Sequence, residues 1–142
     1  MRIYLDSNVL IAYLREEMDS AFNLRYLEAG RFFTHCCNKK IILVISDLFL
    51  DEVNHVIGLN ENDIYDTFKQ LEIFFEHISN EPSQRGDIIS KQTGIHFTDA
   101  RHVANALASH CDAVVSFNRK DFIKTKHLIS FMMPEEFISL NF

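Results

Sequence analysis

The sequence predicts an α/β fold, in which a parallel sheet lies in a three-layer, Rossmann-like arrangement with helices on both faces, and three observations predict it. Short β-rich apolar runs, Ile3-Tyr4-Leu5, Ile41–Ile45 and Ala113-Val114-Val115, alternate with stretches of helical periodicity. Ile41–Ile45 is apolar without interruption, the mark of a strand covered on both faces. Only four Gly and two Pro occur in 142 residues, so the connections are expected to be short. Strands separated by helices pair in parallel within a layered sheet.

The elements follow in order. Ile3–Leu5 is the first strand. Val9, Leu10, Tyr13 and Leu14 predict a helix from Asn8 to Glu17, and a second is expected from Ser20 to Cys37, carrying Phe22, Tyr26, Leu27, Phe32 and Phe33. After the strand Ile41–Ile45, Ser46 or Asp47 caps a helix to Ile57, which Gly58 closes. Asn60 opens another with the stripe Ile64, Phe68, Leu71, Phe75 and Ile78. Pro82 starts a helix to Thr93, with Gly94 as its stop. Thr98 caps a helix through Ser109, ahead of the strand Ala113–Val115. His127–Met132 is the last strand, and Pro134 begins a terminal helical turn.

At roughly 100–200 residues per domain, the chain is expected to form one domain over residues 1–142. Hydrophobic residues make up 47% and charged residues 24%, values that exclude a disordered tail, a collagen-like repeat or a disulfide scaffold. Cys36, Cys37 and Cys111 are an odd set with an adjacent pair, which points to a reducing compartment. His35 lies beside that pair, but no second pair of ligands completes a zinc site, so the thiols read as helix residues. Asp6 interrupts the one apolar N-terminal run, and nothing approaches the ~18 apolar residues of a membrane span. A soluble cytoplasmic domain with no membrane partner is expected.

The formal charge is −6, from 14 basic and 20 acidic residues, and it is unevenly spread. Arg119, Lys120, Lys124 and Lys126 surround the single acid Asp121, a local charge of +3 within eight residues. Such a patch can steer a phosphate backbone, and equally can be a solvated loop.

In open α/β sheets, function gathers at the carboxyl ends of the strands. Asp6-Ser7-Asn8 follows the first strand, a helix with Asp47, Asp51 and Glu52 follows the second, and Ser116–Asp121 follows Ala113–Val115. Asp99 stands in the first turn of the helix leading into that strand. Any one of these has an ordinary structural use: Asp6 as a cap, Asp99 against the helix dipole at ~0.3–1 kcal/mol, Asp121 in a turn. Glu52 is harder to dismiss, since it shares a helix face with Leu48 and Val56, whereas Asp51 shares the Asp47–His55 face. Two carboxylates ~4 Å apart repel by about 4 kcal/mol at an effective dielectric of 20, so several together need a cation. All-oxygen ligands suit Mg²⁺ or Mn²⁺, ions that activate water and brace the charge developing on a phosphodiester. Neither a Gly-rich phosphate loop nor a G-x-S-x-G elbow is present to offer another chemistry.

Four segments resemble those of PIN-domain nucleases. Ile3–Ile11 looks like the family's first strand. Ser46–Val53 resembles the second motif, with a hydroxyl six positions before the acid Glu52. Phe97-Thr98-Asp99-Ala100 with His102, Ala104 and Ala106 is similar to the third, and Val114–Phe122 to the fourth. They come in the family's order over nearly the whole chain, whose length resembles stand-alone VapC-type toxins. The resemblance implies a PIN-like fold in which Asp6, Glu52, Asp99 and Asp121 hold Mg²⁺ or Mn²⁺ over single-stranded or structured RNA. Asn118 stands where many members carry Asp, so the fourth acid falls to Asp121. Asn8, Ser116 and Asn118 are the implied supporting residues, and Arg101, Arg119 and Lys120 the implied phosphate contacts.

A metal-dependent endoribonuclease is therefore expected, and the resemblance to toxins further implies an inhibitory antitoxin protein as partner. Setting the four acids aside leaves a formal charge of −2, which weakens the objection that an acidic protein repels RNA. The alternative, kept open by Asn118, is a non-catalytic PIN-like module that binds RNA or protein. An α/β phosphotransferase with Asp6 as covalent nucleophile fits poorly, because residue 8 is Asn and the third motif offers Asp99 where that chemistry uses Lys. Phe32, Phe33, Phe74 and Phe75 are read chiefly as core and otherwise as the surface of a homodimer.

Overall fold

Side chains alternate along a strand, so a sheet with apolar residues at successive positions needs a cover on each face. The computed structural model describes residues 1–140 and supplies both covers. Among the described residues one sheet of five parallel strands forms, in the order β3-β2-β1-β4-β5. The strands are β1 (Arg2–Leu5), β2 (Ile42–Ser46), β3 (Phe74–Ile78), β4 (Ala113–Val115) and β5 (Ser130–Met132). The helices are α1 (Ser7–Arg15), α2 (Arg25–Lys39), α3 (Asp47–Ile57), α4 (Glu61–Gln70), α5 (Ser83–Thr93), α6 (Phe97–Ala108), α7 (Arg119–Phe122) and α8 (Pro134–Ile138).

Ile3 and Leu5 of β1, Leu43 and Ile45 of β2, and Ala113 and Val115 of β4 point into one core. There they meet Val9, Phe33, Phe49, Phe68 and Phe137 from α1, α2, α3, α4 and α8. The intervening Tyr4, Val44 and Val114 point the other way, onto Ile89 of α5, Val103 and Ala106 of α6, and Phe122 of α7. Each fully buried Phe contributes about 1.5–3 kcal/mol relative to an exposed one, which is how a chain without Trp fills its interlayer space. Because every pairing is parallel, the carboxyl ends of all five strands share one edge.

Most expected elements are present. Ser46 caps α3 by accepting from the Phe49 amide at 3.2 Å, and Gly58 and Gly94 end α3 and α5 in the left-handed region at φ +73° and +76°. Several boundaries differ. α2 begins at Arg25 instead of Ser20, because the Asp19 carboxylate folds residues 19–23 into a turn by accepting from the amides of Ala21 and Asn23. α6 is capped by His96, whose Nδ1 accepts from the Thr98 amide, and Thr98 lies inside the helix. The basic segment from Arg119 is helical through Phe122 and continues as a 3₁₀ turn over Ile123–Thr125, and the last strand is confined to Ser130–Met132.

The largest correction concerns the stripe ending in Leu71, Phe75 and Ile78. Its helix stops at Gln70, Glu72 takes φ +57°, and Phe74–Ile78 becomes the edge strand β3 paired with β2. His77 anchors that edge, its Nε2 lying 2.6 Å from Asp47 Oδ1 and its Nδ1 2.7 Å from Tyr65 Oη. Asp47 is thus a partner of β3 as well as a face residue of α3. Phe32 and Phe33 are core, while Phe74 is exposed on the edge strand. No helix among the described residues is long and apolar enough to cross a membrane.

Candidate active site

Asp6 directly follows β1 and sits at the N-cap position of α1, yet its side chain makes no capping hydrogen bond. It turns across the sheet edge, where Oδ2 accepts from Ser116 Oγ at 2.7 Å. Ser116 directly follows β4, the neighbour of β1, so adjacency in the sheet creates this contact. Asn8 Nδ2 and the Asn118 amide donate to Ser116 Oγ at 3.1 and 2.9 Å, and Asn8 Oδ1 accepts from the Phe117 amide at 3.2 Å. These bonds fix the turn that carries the fourth segment.

Glu52 arrives from β2 through α3. Its Oε1 accepts from Ser7 Oγ at 2.9 Å and from His102 Nε2 at 2.7 Å. His102 is fully buried on α6, one helical turn after Asp99, and its Nε2 also lies 3.7 Å from Asp6 Oδ1. His102 Nδ1 is 2.6 Å from Tyr4 Oη, which is 2.7 Å from Ser46 Oγ. Asn118 spans the remaining acids, its Nδ2 donating to Asp121 Oδ2 at 2.9 Å and to Asp99 Oδ2 at 3.3 Å. The structure therefore brings Asp6, Glu52, Asp99 and Asp121 to one edge, together with Asn8, Ser116 and Asn118.

Burial pushes the Asp6 carboxyl up, against the pull of His102 and the Ser116 hydrogen bond. Burial raises Asp99 to about 6, helped by the charges of Asp6 and Asp121 and opposed by His102 and His96. Burial also opposes ionisation of Glu52, but the hydrogen bond and charge of His102 outweigh it and leave that carboxyl below its ordinary value. Burial disfavours the imidazolium of His102, yet the contacts with Tyr4, Glu52 and Asp6 raise it well above the ordinary value. Among the described residues no Lys or Arg forms an ion pair within 4 Å with any of the four acids, and His102 is the basic partner that Asp6 and Glu52 have at that distance.

One ligand atom each from Asp6, Glu52 and His102 lie within 4.8 Å of one another. Carboxylate oxygens dominate the neighbourhood, and Asp99 is driven toward its protonated form by burial and then by its negative neighbours. That donor chemistry fits a hard divalent cation such as Mg²⁺ or Mn²⁺.

The basic residues divide. Arg101 lends its charge to Glu52 from α6, and Lys120 is exposed on α7. Arg119 turns toward α8, paired with Glu136 and 6.0 Å from the Phe131 ring. Tyr4, Ser7 and His102 are site residues that sequence reasoning did not assign. His102 carried a signal in its spacing of three from Asp99, whereas Tyr4 lies hidden inside an apolar strand. Arg25, missed as well, rests its guanidinium 5.1 Å over Phe117, beside the Ser116–Asn118 turn.

A family model described as PIN domain matches residues 3–128. Among curated proteins none matches the chain. Its fold is similar to that of a toxin–antitoxin complex from Klebsiella pneumoniae, at 18% identity and a TM-score of 0.63, covering 93% of this chain and 97% of that one. VapBC2 from Rickettsia felis, bound to a DNA fragment from its promoter, is similar at 18% identity and a TM-score of 0.60, with 94% and 98% covered. VapBC-1 from nontypeable Haemophilus influenzae is similar at 15% identity and a TM-score of 0.59, with 95% and 99% covered. At these identities the likeness is one of fold.

Proposed function

The chain belongs to the PIN-domain family, and from that premise we propose that it is a metal-dependent endoribonuclease acting on single-stranded or structured RNA. The observation that carries the reading is the meeting of Asp6 and Glu52 at His102, with Asp99 and Asp121 bridged by Asn118 beside them, at a sheet edge where among the described residues no Lys or Arg forms an ion pair with any of the four. Asp6, Glu52 and Asp99 would hold Mg²⁺ or Mn²⁺, and Asp121 would help to position it or its waters. The bound ion supplies Lewis acidity, lowering the pKa of water and offsetting charge on the phosphodiester. The protein's own part is orientation: Ser116 fixes Asp6, Ser7 and His102 fix Glu52, and Asn118 fixes Asp99 and Asp121. Arg101 and Lys120 are the proposed phosphate contacts, while Arg119 reaches RNA only by leaving Glu136.

The structural neighbours that are toxin–antitoxin assemblies support the further proposal that this domain is the toxin of such a pair, held in check by an antitoxin protein. A homodimer belongs to the same proposal, with exposed Phe74 as the available member of the aromatic set. The test is cleavage of RNA with Mn²⁺ or Mg²⁺, against EDTA and against Asp6→Asn. Cleavage that survives both controls overturns the reading.

Asn118 favours a second reading, a binding module without catalysis, because an amide stands between two acids where a further acid would raise the affinity for a cation. Calorimetry separates the two, since the module shows no Mn²⁺ binding that depends on Asp6 and Asp99.

A further inference from the structure

We propose that His102 is a hydrogen-bond donor that orients Glu52, and not a ligand of the metal ion, with Tyr4 holding the imidazole through its other nitrogen. The inference rests on the nuclease reading for its ion but carries a test of its own. His102 Nε2 lies 2.7 Å from Glu52 Oε1, and an ionised carboxylate only accepts, so Nε2 bears the hydrogen. Ser7 Oγ donates to the same oxygen at 2.9 Å. Both donors converge on Oε1, and among the described residues no hydrogen bond engages Oε2, which stays available to a cation.

The other nitrogen is equally constrained. Nδ1 is 2.6 Å from Tyr4 Oη, itself 2.7 Å from Ser46 Oγ, the atom that already caps α3. The phenol can donate to the bare Nδ1 of a neutral imidazole or accept from the Nδ1–H of an imidazolium, and in both of these forms Nε2–H faces Glu52. The string Ser46–Tyr4–His102 thereby ties together β1, α3 and α6, the elements that carry or immediately precede Asp6, Glu52 and Asp99. For His102 to ligate an ion, Nε2 would have to lose its hydrogen and with it the bond to Glu52. An imidazole ligand would also move the site's preference away from Mg²⁺ and Mn²⁺ toward softer ions.

Long-range ¹H–¹⁵N spectra of the imidazole decide the matter, recorded on the metal-free protein and at saturating Mg²⁺. Nε2 is expected to be protonated in both. A bare Nε2 in the metal-free protein overturns the donor assignment, and loss of its hydrogen on Mg²⁺ binding shows a ligand and overturns the proposal. Mn²⁺ calorimetry on variants gives an independent readout. His102→Gln keeps an N–H near the place of Nε2 and is expected to bind within about 3-fold of the parent, while His102→Leu weakens binding ~10–100-fold. Equal losses in the two overturn the donor role, and an unchanged imidazole spectrum in Tyr4→Phe overturns the part given to Tyr4. Should a variant fail to fold, the parent spectra alone decide. A parent that keeps Nε2–H but binds neither Mg²⁺ nor Mn²⁺ supports the donor assignment and overturns the nuclease reading.

Discussion

Ser116 donates a hydrogen bond to Asp6 across 2.7 Å, although 110 positions separate the two residues in the chain. The contact exists because β1 and β4 are neighbours in the sheet and each strand ends one residue earlier. Ser116→Ala removes the donor and leaves a buried carboxylate short of a partner. A loss of about 1–3 kcal/mol of stability is expected at neutral pH, with Mn²⁺ affinity lower by ~10–100-fold. Urea unfolding in EDTA and Mn²⁺ calorimetry measure the two effects.

Asp99 gives the site its pH dependence. Its folded pKa of about 6 stands above the unfolded value, so the native state binds the proton more tightly than the unfolded chain does. Through this group the metal-free protein loses stability as pH rises from about 4 through 6. After discounting for solvent screening, Asp99→Asn is expected to stabilise the metal-free protein by about 1–2 kcal/mol at pH 7. Near pH 4 the substitution is expected to be nearly neutral. Unfolding curves at the two pH values check it. Mn²⁺ binding, which needs the ionised carboxylate, is expected to weaken as pH falls through about 6 and to release a proton, a signal that calorimetry in buffers of different ionisation enthalpy reads directly.

Asn118→Asp exchanges an amide that donates to two acids for a third charge between them. In EDTA the variant is expected to lose about 1–3 kcal/mol of stability. In saturating Mn²⁺ it is expected to recover, with tighter ion binding than the parent. A variant equally unstable with and without Mn²⁺ would place the ion elsewhere.

Gly86 tests the seat of α6. A Cβ at this position would lie 2.7 Å from Arg101 Cγ, closer than packed carbons come, and a tight 3.2 Å from Arg101 Cα. Since α5 lies against α6 here, Gly86→Ala must push the helices apart or displace Arg101, at a cost of about 1–3 kcal/mol. α6 also carries Asp99 and His102, so Mn²⁺ affinity is expected to fall with the stability. Thermal melts and calorimetry on one preparation show whether the two losses travel together.

Local pattern was enough for the alternation of strands and helices, the caps at Ser46 and Asn60, and the stops at Gly58 and Gly94, because each depends on a few neighbouring residues. Edge strand β3 was not legible this way. Phe75 and Ile78 are spaced by three, as on a helix, and the left-handed turn before them falls on Glu72 in place of a Gly. What makes that segment a strand is the open edge of β2, whose paired residues, Ile42 with Phe74 through Ser46 with Ile78, lie 32 positions earlier in the chain.

Acidic residues at the strand ends were likewise readable from sequence, since a strand end can be recognised locally and the carboxyl edge is where such sites form. The sequence by itself therefore determined the kind of fold and the chemical character of its edge. Only the tertiary structure decided that Ser116 reaches Asp6, that Asn118 spans Asp99 and Asp121, and that Tyr4 and His102 lie behind Glu52. Those contacts join segments whose neighbourhood is set by strand order and helix packing, and neither leaves a trace in the spacing of residues along the chain.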